Sequence, residues 1–301
     1  MVDALLAACD RHDDAPPRFL KMGHLTVHPK YLVLLQHNGL TDLSSVFRFD
    51  GGERLDKAGL DRWRERRRFV LSDLGGGSHT FYVKRYERPP VFQQVRRILS
   101  GRPRESTAGR EWHAIARLAA AGIPVPERVA FGQQMCGWVE SRSFLMLAAV
   151  RGRSLEWWLP EHWQRGAAGE RLRRQRQMIR RLAAQVAAFH AAGFVHRDLY
   201  ASHIFLVDSD DPGDRPPLFV FIDLQRVFRP RWRRTRWVVK DLAALSFSTA
   251  RSVSQTDRLR FWREYTRCFR RPHWTHTLPR RIEAKAGRMR RRHERRTAAG
   301  T

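Results

Sequence analysis

The chain is organised around residues 196–203, which read H-R-D-L-Y-A-S-H. An apolar run, residues 204–207, follows directly. A second apolar run, residues 218–222, comes immediately before Asp223. The decapeptide between the two runs, residues 208–217, is rich in Asp and Pro. Short apolar runs separated by turn residues predict two strands joined by a hairpin. The order is therefore a polar loop, a strand, a turn, a second strand and a carboxylate.

This order is similar to the catalytic segment of protein kinases, whose loop reads H-R-D-L-x-x-x-N. Phosphoryl transfer needs one carboxylate near the acceptor hydroxyl and another on a metal ion. Asp198 and Asp223 are candidates for these two positions. H-R-D alone is a weak signal, because a tripeptide recurs by chance in an Arg-rich chain. The alternative is that Asp198 is a turn residue and His196 a core histidine.

Composition limits the class of protein. A chain of 301 residues with 42% hydrophobic content can form one large domain or two lobes with a real core. It carries 57 Lys and Arg against 30 Asp and Glu, a net charge of +27, which attracts nucleic acid, an anionic membrane surface or a phosphorylated glycolipid. Its cysteines, Cys9, Cys136 and Cys268, lie in no metal-ligand spacing, and so sparse a count is typical of a reducing compartment. We expect neither a signal peptide nor a membrane span.

A second group of candidates lies upstream. Residues 68–71 and 80–86 read as two strands around Gly75-Gly76-Gly77, a hairpin signal, and Lys84 lies within the second strand. A helix follows, capped by Ser106 or Thr107, with Glu111 in its early turns. Protein kinases pair a strand lysine with a glutamate of the next helix, and we expect the same pair here. The alternatives are a solvated strand lysine and an acidic residue that favours the helix dipole.

The next apolar run, residues 144–147, predicts a strand that leads into a hinge. Backbone groups around Leu147 and Ala149 are candidates for contacts with adenine. The alternative is a core strand that simply turns. Further along, residues 169–192 have strongly helical spacing, and we expect Asp241 to be a buried acceptor behind the loop that contains Asp198.

These elements predict an α+β, protein-kinase-like fold of two lobes. We place a loose leader at residues 1–27 and a small β-rich N-lobe at residues 28–147. A larger, mainly helical C-lobe with the catalytic loop follows at residues 148–278. A basic tail, either helical or disordered, completes the chain at residues 279–301.

The motifs together resemble the lipopolysaccharide kinases of the Kdo/WaaP type, especially those that act on core heptose. The likeness covers about residues 30–275. It depends on F-Y-V-K-R-Y around Lys84, on R-E-W-H-A-I-A-R-L-A-A-A-G-I-P-V-P from Arg110, and on H-R-D-L-Y-A-S-H. It depends also on F-I-D-L-Q-R-V and on K-D-L-A-A-L-S-F-S. The chain departs from many heptose kinases at Ser202, where they have Cys, and at Gln225, where they have His.

The resemblance implies a two-lobe kinase-like enzyme that uses ATP and Mg²⁺. Its acceptor would be a hydroxyl of an inner-core sugar of lipopolysaccharide, either heptose or Kdo. The glycolipid would then be its main partner, with an anionic membrane surface beside it and nucleic acid not expected. The implied location is cytoplasmic, peripheral to the inner face of the inner membrane.

The requirements of phosphoryl transfer assign roles to the candidates. Asp198 accepts the proton of the attacking hydroxyl, and Asp223 binds magnesium. Lys84 holds the α- and β-phosphates, and Glu111 orients Lys84. His203 stands where protein kinases have Asn, and it either binds the metal or donates a hydrogen bond to a phosphate or to Asp198.

Two other functions compete with this interpretation. One is a protein kinase or small-molecule phosphotransferase of the same fold. The other is a non-catalytic binder of membrane or nucleic acid, suggested by the net charge and by the Arg and Trp residues of 229–237. The presence of Lys84, Asp198 and Asp223 together argues against the non-catalytic function. We expect the arginines of 229–236 to lie beside the acceptor.

Overall fold

The structure is a computed structural model of the chain. It describes residues 19–22, 24–55, 62–99, 101, 103–207, 217–269 and 277–298. The chain divides into two compact units. The first, here called the β unit, contains the described residues of 19–120 and 126–149, and the second, the helical unit, contains those of 121–125 and 150–298.

The β unit is built on a seven-stranded antiparallel sheet in the order β1-β2-β6-β7-β5-β4-β3. Its strands are β1 (Leu20–Met22), β2 (Leu25–Val27), β3 (Glu53–Arg54), β4 (Arg64–Ser72), β5 (Ser78–Glu87), β6 (Arg128–Cys136) and β7 (Val139–Ala148). Its helices are α1 (Leu32–His37), α2 (Leu43–Arg48), α3 (Val91–Ile98) and α4 (Thr107–Ala119). Alternate side chains of β4 and β5, such as Phe69, Leu71, Phe81 and Val83, enter one apolar core.

The predicted hairpin around the three glycines is present between β4 and β5. Asp73 accepts hydrogen bonds from the backbone N–H groups of Gly75 and Gly77, at 2.9 and 2.8 Å. Gly76 has a φ of +82°, a conformation that glycine adopts without the steric cost of a Cβ atom. The turn therefore fixes the register in which Lys84 lies opposite Arg66 and Leu145.

The N-terminal boundary differs from the prediction. Residues 1–27 were expected to form a loose leader, yet β1 and β2 pair with each other, and β2 pairs with β6. Leu25 and Val27 are buried in the core. The two strands have only three residues each, so their own pattern is too short to identify them, and pairing with a distant strand stabilises them. Residues 1–18 lie outside the described part of the chain.

The helical unit combines a small sheet with five longer helices among its described residues. The sheet has the order β10-β9-β8, from β8 (Gly152–Ser154), β9 (Ile204–Val207) and β10 (Phe219–Phe221). The helices are α5 (Leu155–His162), α6 (Ala168–Ala191), α7 (Arg234–Thr249), α8 (Gln255–Phe269) and α9 (Leu278–Ala298). The predicted hairpin between the two apolar runs is thus the antiparallel pair β9–β10, and residues 208–216 of its connection are outside the described residues.

The C-terminal basic segment is a helix in the structure. Leu278, Ile282 and Ala286 of α9 are buried, because this face of the helix packs on α7. Arginines such as Arg281 and Arg288 are exposed outside this contact. Among the described residues, no helix is long and apolar enough to cross a membrane.

Candidate active site

The loop of residues 196–203 is held from behind by a carboxylate of α7. Asp241 accepts hydrogen bonds from the backbone N–H groups of His196 and Arg197, at 2.6 and 2.7 Å. Arg197 has a φ of 73°, and its guanidinium lies 5.2 Å from the ring centre of Trp237. The predicted contact between Asp241 and the loop is therefore present, and it holds a non-glycine residue in a left-handed conformation.

Asp241 is fully buried and belongs to a network that extends to α6 and α8. His190 Nε2 lies 3.4 Å from Asp241 Oδ2, and His190 Nδ1 lies 2.9 Å from the hydroxyl of Tyr265. With Nε2 donating to the carboxylate, Nδ1 accepts from the tyrosine. Burial raises the pKa of Tyr265, so this hydroxyl keeps its proton. The loop is thus anchored to the core of the helical unit.

Two cations reach the carboxylate of Asp198. Arg226 Nη1 lies 3.0 Å from Oδ1 and 2.8 Å from Oδ2, and Lys240 Nζ lies 3.6 Å from Oδ1. Lys240 also donates to the carbonyl of Arg197. Burial lowers the pKa of Lys240. The sequence analysis did not identify either cation, although each belongs to a quoted motif: Arg226 to I-D-L-Q-R and Lys240 to K-D-L-A-A-L.

His203 joins the two acidic candidates. Its Nδ1 lies 2.8 Å from the backbone carbonyl of Asp198, and its Nε2 lies 3.7 Å from Oδ2 of Asp223. Nδ1 must donate to that carbonyl, so in the neutral ring Nε2 carries the lone pair that a metal ion would bind. Asp223 has a φ of 55° and lies two residues beyond β10. Between them, the backbone N–H of Ile222 donates to the carbonyl of His203 at 3.0 Å.

This pair fits a magnesium ion that is also held by phosphates. No cluster of three or more His, Cys, Asp or Glu side chains suited to a metal occurs among the described residues. Mg²⁺ usually takes only one or two carboxylates from the protein, with phosphate oxygens and water as its other ligands. Asp223 would supply such a carboxylate, and His203 would supply a weaker nitrogen ligand beside it.

His196 has a structural position in the same loop. Its Nε2 donates to the carbonyl of Ile222 at 3.1 Å, and its ring stacks on that of His203 at 5.9 Å. Nδ1 is buried and has no hydrogen-bond partner among the described residues. Burial lowers the pKa of His196, so the ring is neutral. The alternative of a core histidine therefore holds for His196, whereas a catalytic role for Asp198, which pairs with Arg226 and Lys240, stays a prediction.

In the β unit, Lys84 and Glu111 form the expected pair. Lys84 Nζ lies 2.7 Å from Oε1 and 2.9 Å from Oε2 of Glu111. The glutamate side chain is 1% exposed and that of the lysine 14%. Ser106 caps α4 through Gly109 N–H at 3.0 Å, and this cap fixes where Glu111 emerges from the helix.

The adenine-binding prediction needs one correction. The backbone N–H of Ala149 donates to the carbonyl of Thr80 at 3.0 Å, because the chain continues the sheet for one residue beyond β7. This N–H is therefore not free for adenine. Leu147 is a buried residue of β7, paired with Tyr82 on β5. Contacts of Leu147 and Ala149 with a nucleotide remain a prediction.

The arginines of 229–236 divide into two groups. Arg234 donates to the carbonyl of His190 and lies 5.6 Å from the ring of Phe269. Arg229 lies 4.3 Å from the ring of Phe194. Both side chains are thus used in packing within the helical unit. The other three, Arg231, Arg233 and Arg236, are exposed, and Arg236 lies 5.9 Å from the ring centre of Trp237. Arg231 and Arg233 are still available to an anionic ligand.

Comparisons with known proteins identify the family of the chain. The model of the lipopolysaccharide kinase (Kdo/WaaP) family matches residues 61–265. A lipopolysaccharide core heptose(I) kinase WaaP from Escherichia coli is 33% identical over 205 residues, which are 67% of this chain and 75% of the relative. The protein of the same description from Pseudomonas aeruginosa is 31% identical over 211 residues, 69% of this chain and 75% of the relative.

A solved structure, described as WaaP in complex with acyl carrier protein, is also similar. It has a TM-score of 0.64 and 26% identity, and the match covers 88% of this chain and 98% of that one. The likeness that the sequence motifs suggested is therefore confirmed, as is the α+β kinase-like fold. The chain belongs to the lipopolysaccharide kinase (Kdo/WaaP) family.

Proposed function

We propose that this chain transfers the γ-phosphoryl group of ATP to a hydroxyl of heptose or Kdo in the inner core of lipopolysaccharide. The observation that carries this proposal is the segment 198–223, in which one imidazole joins two aspartates. His203 touches the backbone of Asp198 and faces the carboxylate of Asp223. A phosphotransferase needs both carboxylates at fixed positions. The names of the relatives, core heptose(I) kinases, favour heptose as the acceptor.

The residues of the helical unit supply a base and positive charge. Asp198 accepts the proton of the attacking hydroxyl, since it is the only carboxylate among residues 196–203. Arg226 and Lys240, beside it, neutralise negative charge that develops on the transferred group. Asp223 and His203 would hold Mg²⁺, which when bound neutralises the phosphate oxygens. In the β unit, Lys84 holds the α- and β-phosphates, oriented by Glu111.

Turnover on purified lipopolysaccharide tests the proposal. ATP consumption and the mass of the core oligosaccharide are measured with lipopolysaccharide, with a protein acceptor and with no acceptor. Asp198→Asn should lose about 100- to 10,000-fold in kcat, the usual contribution of a general base. Asp50→Asn, at a side chain that is 91% exposed, is the control and should keep wild-type turnover. A mass shift on the protein acceptor alone would overturn the acceptor assignment.

We also propose a cytoplasmic enzyme bound peripherally to the inner face of the inner membrane. The net charge of +27 favours an anionic surface. Helix α3 supports the membrane contact more specifically, because two of its polar side chains are buried within the β unit. Arg97 is buried and donates to the carbonyls of Trp138 and Glu105, and Gln94 is buried and donates to the carbonyl of Glu140 at 2.8 Å.

The apolar side of α3 consequently faces solvent. Val91, Phe92, Val95 and Leu99 are 79%, 71%, 47% and 81% exposed, and Trp138 is 56% exposed. Apolar and aromatic side chains flanked by exposed arginines such as Arg96 are typical of surfaces that lie in a membrane interface. This combination of apolar and cationic groups suits anionic lipid.

Binding to vesicles tests this surface. Phe92→Ser with Leu99→Ser should lower sedimentation with phosphatidylglycerol vesicles by about tenfold, because two apolar side chains no longer enter the interface. Val33→Ser with Leu74→Ser, at apolar positions that are 58% and 73% exposed, is the control. Equal losses in both variants would refute the assignment of α3.

An acyl carrier protein is a further partner that we propose, since the solved relative was described in complex with one. The helical unit contains an apolar cavity of about 70 Å³ lined by Leu155, Met178, Leu245 and Trp262 among others. A fatty acyl chain has the chemistry to enter it. Acylated carrier protein should raise the melting temperature more than the unacylated form, and Leu245→Trp should abolish the difference. An equal effect of both forms would refute the use of this cavity.

A further inference from the structure

Towards its C-terminal end, helix α9 continues the side that packs on α7 with a stripe of mostly basic side chains. Lys285, Met289, Arg292, His293 and Arg296 follow one another at intervals of four, three, one and three residues. Residues three and four apart lie on the same side of a helix, so these five side chains form a single stripe. Three of the five, Lys285, Arg292 and Arg296, carry a positive charge.

The stripe forms one wall of a pocket within the helical unit. The opposite side is lined by Tyr200 of the loop 196–203, and by Lys240 and Phe247 of α7. Phe247 holds the wall in place through an edge contact with His293, with ring centres 5.9 Å apart. The volume is about 350 Å³, within the range of pockets that bind small ligands.

The charge of this pocket is one-sided. Its lining contains Lys240, Lys285, Arg292 and Arg296, together with His293, and it contains no carboxylate. Within the part of the chain that the structure describes, the side chains of Lys285, Arg292 and Arg296 form neither an ion pair nor a hydrogen bond. Converging cations without counter-charges repel one another and concentrate anions at that site. The pocket is therefore suited to a phosphate or a carboxylate.

The pocket adjoins the proposed base. Lys240 lines it and at the same time lies 3.6 Å from Oδ1 of Asp198. Tyr200 follows Asp198 by two residues and lines the same pocket. Its phenolic hydroxyl offers a ligand there a hydrogen-bond donor. A ligand in this pocket lies next to the carboxylate that would take its proton.

We infer that this pocket binds a phosphate or carboxylate group of the acceptor glycolipid and so brings a neighbouring hydroxyl to Asp198. The inference rests on the proposed function and names its acceptor subsite. The guanidinium groups of Arg292 and Arg296 can each bind either anion through two parallel N–H···O hydrogen bonds. A flat membrane surface fits less well, because Lys240 is recessed in the pocket with 28% of its side chain exposed.

Charge-matched variants of α9 provide the test. Arg292→Gln with Arg296→Gln removes two charges from the pocket, whereas Arg288→Gln with Arg295→Gln removes two exposed charges that do not line it. The pocket variant should raise the KM for lipopolysaccharide by about 10- to 100-fold and leave the KM for ATP within about twofold, since two charge-assisted contacts are lost. The control variant should keep both constants.

Binding without turnover separates the possible ligands. Delipidated core oligosaccharide and vesicles of phosphatidylglycerol are titrated separately against wild type and both variants. The inference requires that the pocket variant alone loses affinity for the oligosaccharide. Equal losses in the two variants, or a loss confined to the vesicles, would overturn it in favour of general attraction or a membrane contact. If wild type binds the oligosaccharide but does not phosphorylate it, the proposed function fails while the pocket assignment stands.

Discussion

The ion pair between Lys84 and Glu111 can be removed in a way that separates stability from catalysis. Lys84→Met leaves a carboxylate that is 1% exposed without its two hydrogen bonds from the lysine. Breaking a buried pair from one side costs about 3–5 kcal/mol of unfolding free energy. The lysine keeps some access to water, so we expect the lower half of that range, about 3–4 kcal/mol.

Removing both charges should restore most of this loss. Replacement of a buried pair by apolar side chains of similar volume is often neutral or stabilising. Lys84→Met with Glu111→Leu should therefore unfold within about 1 kcal/mol of wild type, so it should be at least about 2 kcal/mol more stable than Lys84→Met alone. The single variants Lys84→Met and Glu111→Leu and the double variant should all lack phosphotransferase activity, because the double variant regains the fold but not the ammonium group.

Urea denaturation followed by tryptophan fluorescence measures the effect, since buried Trp112 adjoins Glu111 on α4. The exposed pair Arg68–Glu53, 2.8 Å apart on the same sheet, is the control, and its removal should change the unfolding free energy by less than about 1 kcal/mol. Single variants that cost no more than this control, or a double variant as weak as the sum of the singles, would refute the reasoning.

Three further predictions concern the loop 196–203. His203→Asn should retain activity with a changed preference between Mg²⁺ and Mn²⁺ if Nε2 binds the metal, and inactivity with both metals would remove that role. Arg226→Gln should lower kcat at least tenfold with little change in the KM for ATP, and Arg226→Lys should restore part of the loss, since the guanidinium lies on Asp198. His196 has a pKa below 6.5 when folded, so the unfolded state takes up a proton first as the pH falls. The unfolding free energy should consequently drop below about pH 6.5, by at most about 1.4 kcal/mol per pH unit, and urea titrations should show a shallower slope for His196→Asn.

Local patterns in the sequence identified the elements that local physics determines. The β4–β5 hairpin follows from its glycines, α4 from its Ser106 cap, and the β9–β10 hairpin from two apolar runs. The Lys84–Glu111 contact was also predictable, because protein kinases pair a strand lysine with a glutamate of a later helix. In each case the signal lies within about 30 residues.

The remaining features depend on distant partners. Arg226 and Lys240 reach Asp198 from later elements, and in a chain with 57 Lys and Arg no single cation stands out. The orientation of α3 is set by the hydrogen bonds that Arg97 donates to the carbonyls of Trp138 and Glu105. Its hydrophobic pattern alone would have predicted that the apolar side faces the core. In most of these contacts the two residues lie far apart in the chain, so local sequence patterns do not reveal the contact.

The exposed apolar side of α3 also affects the solubility of the purified protein. At low ionic strength a net charge of +27 keeps copies apart by mutual repulsion. At physiological salt the screening length shrinks to about 8 Å, and the exposed Phe92 and Leu99 of neighbouring molecules can then meet. Colloidal stability should therefore decrease as salt is added, the reverse of what dilute buffer suggests. Detergent, or serine at these two positions, should widen the range of conditions in which concentrated solutions stay clear.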